Sequence, residues 1–220
     1  MSTGQRFAMG AYRAPAQDDG RDFFPTPPWA TRAILREMSL YALMHRDMRV
    51  LDPCAGQGHM TRVLGEVFGE VHALDIERYP APVWPGLIHE ADFLTIPFEA
   101  VVPGGRVDWT VMNPPFTGLL PFVQKALSVS KVGVAALMRM QALEGRKRYE
   151  DLWTKLIPTF VCPFVERVPM HKGRLDPKGS TATAYVWVVW APTLGLKGTR
   201  LRWIPPCRAE LERPGDYAEA

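Results

Sequence analysis

Apolar positions recur along this chain in two periods, and the way the periods alternate predicts the architecture. In FFPTPPWATRAILREMSLYAL, Ala30, Ile34, Met38 and Tyr41 recur at spacings of four, four and three, which makes one buried helical face. Thr26 is placed as the N-cap of this helix, and Pro27 at its first position, where a missing N–H costs nothing. A strand, MRVLD, then leads through PCAGQGHM into a helix on which Met60, Val63, Leu64 and Val67 share a face. EVHALDIE (70–77) reads as a second strand ending in Asp75, and VDWTVMN (107–113) as a third, stopped by Pro114 and Pro115. Leu119, Phe122, Val123 and Ala126 define a further helical face before the strand KVGVAALMRM (131–140). Residues 78–105 hold five prolines and read as loops with short elements.

Strands alternating with helices at this spacing imply an α/β fold with a mainly parallel sheet and helices on both faces. The last third departs from the alternation. EGRKRYEDLWTKL reads as helical and VCPFVERVPM as extended. Residues 183–190 and 199–205, joined by a short link bearing glycine and proline, predict a C-terminal antiparallel hairpin. The Trp and Tyr of TAYVWVVW alternate as in a half-buried strand, so core packing is their expected role. Residues 1–21 lack periodicity and are expected to be a mobile N-terminal tail, 22–206 a single domain, and 207–220 a C-terminal tail.

Composition adds mainly exclusions. At 220 residues, with 47% hydrophobic and 22% charged, the chain suits one globular domain and is not wholesale disordered. No apolar stretch approaches the ~20 residues of a membrane span, and the N-terminus lacks the apolar core of a secretory signal. A cytoplasmic protein without a membrane partner is expected. Cys54, Cys162 and Cys207 are an odd count without metal-ligand spacing, so neither a disulfide framework nor a metal site is supported. A net charge of +3 is too small to imply a nucleic-acid partner by itself. Proline, at 21 residues, is about twice its usual ~5% share. Pro25, Pro27, Pro28, Pro53, Pro114 and Pro115 fall at three turns, which points to rigid loops rather than disorder.

Two of those turns carry candidate chemistry. In VLDPCAGQG a strand delivers the chain to a glycine turn that opens a helix, and Asp75 ends the next strand, where nucleotide-binding α/β folds set an acid against ribose hydroxyls. The same spacing also suits a plain strand-to-helix turn. No Gly-Lys-Ser/Thr follows, so the ligand it would suit has a ribose but no polyphosphate. At the end of the third strand, Asn113-Pro114-Pro115-Phe116 is either a rigid exit turn or a crevice for a planar amino group. For the second role Asn113 supplies an amide oxygen, Pro114 a carbonyl at a nearly fixed angle, and Phe116 a stacking face.

DPCAGQG and NPPF, in this order, resemble motifs I and IV of class I S-adenosylmethionine-dependent amino-methyltransferases. FFPTPPWATRAIL resembles motif X of the N6-adenine methyltransferases. LEGRKR (143–148) and GSTATAYVW (179–187) resemble segments of small phage- or prophage-type DNA adenine methyltransferases. The resemblance runs from about Asp22 to Trp190 and implies a Rossmann-like methyltransferase sandwich with S-adenosylmethionine as cofactor. By position it implies that Phe24, Pro25 and Thr26 lie near the cofactor methionine, and that Asp52, Pro53, Ala55, Gly56 and Gly58 form its main turn. Asp75 would bind the ribose, Ile76 would lie on the adenine, and Asp92 and Phe93 would contact that ring. Asn113, Pro114, Pro115 and Phe116 would hold the target base, with Asn113 also near the cofactor. Gln57 departs from the small residue common at its position, and Phe116 lacks the hydroxyl of the Tyr that the family often carries.

Two basic clusters, Arg146, Lys147, Arg148 and Lys172, Arg174, Lys178, follow predicted strands near the same sheet edge and are expected to contact phosphates. The expected partner is DNA, with RNA also possible, and the chain as monomer or homodimer. Room is lacking for a separate recognition domain, so the segments around 141–150 and 170–183 are expected to contact the target and to read a short or relaxed sequence. RNA or protein-glutamine methylation, or a non-catalytic nucleic-acid-binding relic of this fold, are the competing readings.

Overall fold

The computed structural model of the protein describes residues 23–217; the expected mobile segment 1–21 and residues 218–220 lie outside the described residues. Eight strands form one sheet: β1 (Arg49–Asp52), β2 (Glu70–Asp75), β3 (Ile88–Glu90), β4 (Val107–Met112), β5 (Ser130–Arg139), β6 (Phe160–Pro163), β7 (Tyr185–Trp190) and β8 (Arg200–Leu201). Their spatial order is β3-β2-β1-β4-β5-β7-β6-β8. The neighbours from β3 to β5 are parallel, whereas β7 runs antiparallel to both β5 and β6.

Strict alternation sends successive side chains to opposite faces. Val50, Trp109, Val111, Leu137 and Trp187 pack on one side with α1 (Pro28–Ser39) and α2 (His59–Leu64). Leu51, Met112, Val134, Ala136 and Val188 pack on the other with α3 (Leu119–Val129). Tyr185, Trp187 and Trp190 pack in the core as expected, but the strand is buried on both faces rather than half-buried, because β5 and β6 flank it inside the sheet. The EGRKRYEDLWTKL segment is helical in part, as α4 (Arg146–Arg148) followed by a π-helical turn at Tyr149–Trp153. No helix among the described residues is long and apolar enough to cross a membrane.

Three expectations change. The strand 183–190 is antiparallel, but its partners are β5 and β6; residues 199–205 contribute the short β8, which lies parallel to β6 instead of closing a hairpin. The edges of β7 are already taken by β5 and β6, so a third partner has no place there. Helix α1 begins one residue later than expected, with Pro27 as N-cap, Pro28 at the first position and no side-chain cap. The Thr26 hydroxyl is bonded elsewhere, to Asn113. Finally, residues 207–217 are docked rather than tail-like. Cys207 and Asp216 are buried, and α5 (Arg208–Leu211) packs on α1.

That docking rests on Arg32, which is why α1 is buried almost all round. Its guanidinium donates to Asp216 at 2.7 and 2.8 Å, to Glu66, and to the Leu211 carbonyl at 2.7 Å. Burial alone would raise the Asp216 carboxyl, but hydrogen bonds from Arg32 and the Arg213 N–H hold it below its ordinary 3.8. Asp216→Ala is expected to cost about 3 kcal/mol in urea unfolding. This is the low end for breaking a buried pair, because Glu66 still accepts from Arg32. A lowered carboxyl contributes fully above 3.8 and loses its contribution as pH falls through the lowered value. The gap between wild type and variant should therefore close only in acid. An unchanged unfolding midpoint at neutral pH would show that Asp216 does not hold the segment.

Candidate active site

The chain moves outward from β1 through β2 to β3 and then returns to place β4 on the other side of β1. This puts a topological switch point, where open α/β sheets open a crevice, at the carboxyl ends of β1 and β4. A cavity of about 710 Å³ lies there, within the usual range for small-molecule sites.

The glycine turn after β1 forms its floor. Gly58 has φ +88°, and a Cβ on it would come within 2.4 Å of the Trp84 Cβ. The proline-rich loop is thus laid directly on the turn. Gln57 fastens it there: its side chain donates to the Pro80 carbonyl at 2.9 Å, and its own carbonyl accepts from the Val83 N–H at 2.8 Å. A small residue at position 57 could not make the first of these bonds. Pro53, Cys54 and Ala55 line the cavity, whereas Asp52, Gly56 and Gly58 lie behind the lining. Asp52 is fully buried and accepts from the Thr61 hydroxyl at 2.7 Å and the Cys54 N–H at 3.3 Å. Burial pushes its carboxyl up to about 7 against the pull of those two donors. It supports the turn from beneath.

Asp75, at the end of β2, reaches the cavity while accepting from the Gly56 N–H at 2.7 Å and the Glu77 N–H at 3.0 Å. Burial raises its carboxyl, and those two amides oppose the rise. Ile76 beside it lines the cavity yet is 64% exposed, an apolar surface that a ring could cover. Asp92 and Phe93 also face the cavity. The Asp92 carboxylate accepts from the Leu94 N–H and the Thr95 hydroxyl, which fixes the loop after β3, and Phe93 is buried.

Asn113 follows β4 and meets the segment before α1. Its amide nitrogen donates to the Phe24 carbonyl at 3.0 Å and to the Thr26 hydroxyl at 3.2 Å. The Phe24 carbonyl can only accept, so the amide is held with its nitrogen toward that segment and Oδ1 available as an acceptor. Phe24, Pro25, Thr26 and Asn113 all line the large cavity. Pro114, Pro115 and Phe116 line it too, and they also line a second cavity of about 280 Å³ on the other side. Pro114, Pro115 and Phe116 therefore lie where the two spaces adjoin, with Asn113 on the side of the large one.

The two spaces differ in charge. Asp75, Glu77 and Asp92 line the large one, and among the described residues no Lys or Arg does. His59, also in its lining, is held neutral, its pKa pulled down to about 4 by burial and by Arg62. The small cavity is lined by Arg139, Arg148 and Glu144.

The predicted basic residues are spread around these spaces. Arg148 reaches the small cavity and donates to the Gln141 and Glu144 carbonyls. Arg146 is exposed and paired with Glu150; Lys147 is exposed beside it, outside the lining of either cavity. Lys172, Arg174 and Lys178 are exposed on a loop anchored where the Gly173 N–H donates to the Phe23 carbonyl at 2.9 Å. Arg174 lies 3.7 Å from Asp176. Sequence reasoning missed Phe23, Tyr79 and Arg139. The Phe23 ring covers Gly56 and packs on Tyr79 with centroids 4.5 Å apart, at the rim of the large cavity. For Arg139 a signal existed: a cation ends the otherwise apolar strand VGVAALMR.

No protein-family model and no curated protein sequence matches the chain. Solved structures do match in three dimensions. A modification subunit assigned to a type I restriction enzyme of Vibrio vulnificus YJ016 has TM-score 0.54 and 16% identity, over 93% of this chain and 51% of that one. A protein of Pyrococcus horikoshii assigned as an RNA methyltransferase has TM-score 0.55 and 16% identity, over 76% and 85%. A protein of Listeria monocytogenes assigned as a class I S-adenosylmethionine-dependent methyltransferase has TM-score 0.53 and 11% identity, over 80% and 64%. The fold is the Rossmann-like methyltransferase sandwich. At these identities the likeness is one of fold, and the chain spans about half the length of the Vibrio subunit.

Proposed function

We propose that this protein transfers a methyl group from S-adenosylmethionine to the exocyclic N6 of adenine in DNA. The observation that carries the reading is the pair of adjoining cavities. A cavity that is acidic, with no lining cation among the described residues, suits a cationic nucleoside donor, a cavity bearing two arginines suits an anionic polynucleotide, and Pro114, Pro115 and Phe116 line both. The lining of the large cavity supports this cofactor. Asp75 would take the ribose hydroxyls, Ile76 and Phe93 the adenine ring with Asp92 at its edge, and Phe24, Pro25, Thr26 and Asn113 the methionine end. A polyphosphate nucleotide would meet three carboxylates there and no countercharge from the described residues. The order of motif X, motif I and motif IV along the chain favours an N6-adenine target. Arg146, Lys147, Arg148, Lys172, Arg174 and Lys178 would follow the backbone of the DNA, reading a short or relaxed sequence.

When bound, the cofactor supplies an electrophilic sulfonium methyl. The chain's own task is the adenine nitrogen, whose lone pair is delocalised into the ring. Asn113 Oδ1 and the Pro114 carbonyl accept the two N6 hydrogens, favouring the pyramidal nitrogen of the transition state over the planar one. The acceptor direction of Asn113 is fixed in advance by Phe24 and Thr26, so no reorganisation is needed as charge develops. Phe116 supplies the stacking surface, worth ~1–3 kcal/mol per base, which offsets much of the cost of flipping a base from a duplex.

The test is transfer of labelled methyl from S-adenosylmethionine to DNA, RNA and protein in parallel, followed by nucleoside analysis. N6-methyladenine in DNA, spread over a short or relaxed sequence, is the expected product. Label confined to RNA or to glutamine, or none at all, would overturn the reading.

A further inference from the structure

Arg139 is the last residue of β5, at the carboxyl edge of the sheet, beside the NPPF turn. Its guanidinium carbon lies 3.6 Å from the centroid of the Phe116 ring and 5.6 Å from that of Phe24. Its Nε is buried with no hydrogen-bond partner among the described residues, and no ion pair reaches it there. The buried Arg32 is satisfied by carboxylates, those of Glu66 and Asp216, whereas the half-buried Arg139 has none among the described residues. Glu144 lines the same cavity, but its carboxylate pairs with neither arginine; Arg148 bonds its carbonyl instead. A planar cation pinned on an aromatic ring keeps its fork of donors in one plane, the geometry that receives two oxygens of a phosphate.

We infer that Arg139, stacked on Phe116, binds the phosphodiester of the acceptor nucleotide and so restricts the second cavity to polynucleotide substrates. The inference rests on the proposed use of NPPF for a base, and adds an anion requirement to it. It explains why a cation with an open fork is held beside the very ring on which the base stacks. Arg148 lines the same cavity, its guanidinium oriented by two backbone carbonyls, and adds a second positive charge there. A free nucleoside or a glutamine side chain offers the planar amino group without the phosphate. Either would leave Arg139 unpartnered on binding.

The test uses the full chain. Binding of a fluorescent adenine-containing oligonucleotide, as DNA and as RNA, is measured by anisotropy over a series of salt concentrations for wild type, Arg139→Ala and Arg139→Lys. Methyl-transfer kcat and KM are measured beside it. Arg139→Ala should weaken binding about tenfold and lower the salt slope by about one released ion. KM should rise by a larger factor than kcat falls. Arg139→Lys should restore the slope but only part of the affinity, since a point charge replaces the fork. The nucleic acid whose binding responds identifies the source of the phosphate. Unchanged affinity and slope in both variants would overturn the inference, as would a fall in kcat at constant KM, which marks a prop for Phe116. In either case methylation of DNA by wild type would leave the proposed function standing. Methyl transfer only to a glutamine peptide would sink both.

Discussion

Asn113→Ala is expected to lower the rate of methyl transfer by about 10²–10⁴-fold. Removing a single preorganised group aimed at developing charge costs ~10²–10³-fold, and an acceptor nitrogen that is no longer held in line adds a positioning loss. The donor side should suffer less. The Asn113 amide also ties down Phe24 and Thr26 through two neutral hydrogen bonds, each worth about 0.5–1.5 kcal/mol net, so cofactor affinity should drop by about tenfold. Single-turnover transfer at saturating cofactor, with calorimetric binding alongside, separates the two effects. Turnover near that of wild type would remove Asn113 from the chemistry. A loss of affinity as large as the loss of rate would make it a scaffold for the segment before α1.

Asp75→Ala should show the reverse pattern, with cofactor affinity weakened by about 10²-fold and a smaller fall in rate at saturation. Hydrogen bonds to a charged group are worth about 1.5–3 kcal/mol each, and the variant also strands the Gly56 and Glu77 amides that shape the turn. The wild-type affinity should depend on pH with a definite sign. Ribose hydroxyls donate to the ionised carboxylate, so binding weakens as pH falls through the Asp75 pKa, which burial sets above the ordinary carboxylate value of 3.8. The variant's affinity should be flatter over the same range. Asp52, up at about 7 in the wild type, should move down in the variant, because the Asp75 charge is one of the causes that raise it. A dissociation constant within threefold of wild type would exclude Asp75 as a cofactor ligand.

The parts of this molecule that were legible in the sequence are those whose cause is local. The apolar runs VDWTVMN and KVGVAALMRM, helical spacing from Met60 to Leu64, and turns built from adjacent Gly and Pro each carry their own signal, and the central elements form where those signals place them. What escaped depends on partners far away in sequence. Thr26 has the residue type of an N-cap, yet its hydroxyl is drawn to Asn113, 87 residues on. Arg32 meets Asp216 across 184 residues, and nothing in the acidic C-terminal composition marks one carboxylate for burial. The expected hairpin failed for a similar reason. Two adjacent apolar strands pair with each other only if no better edge is free, and β7 finds β5 and β6. Gln57, unexplained as a departure from pattern, becomes intelligible once the Pro80 carbonyl is beside it.

Phe23 has a consequence for how the parts of this site can move. Its ring roofs Gly56 and leans on Tyr79, while its carbonyl takes the amide of Gly173 from the basic loop. Ring and carbonyl belong to one residue, so any displacement large enough to lift the roof pulls on the loop. The roof of the large cavity and the basic loop are in this sense a single mechanical lever.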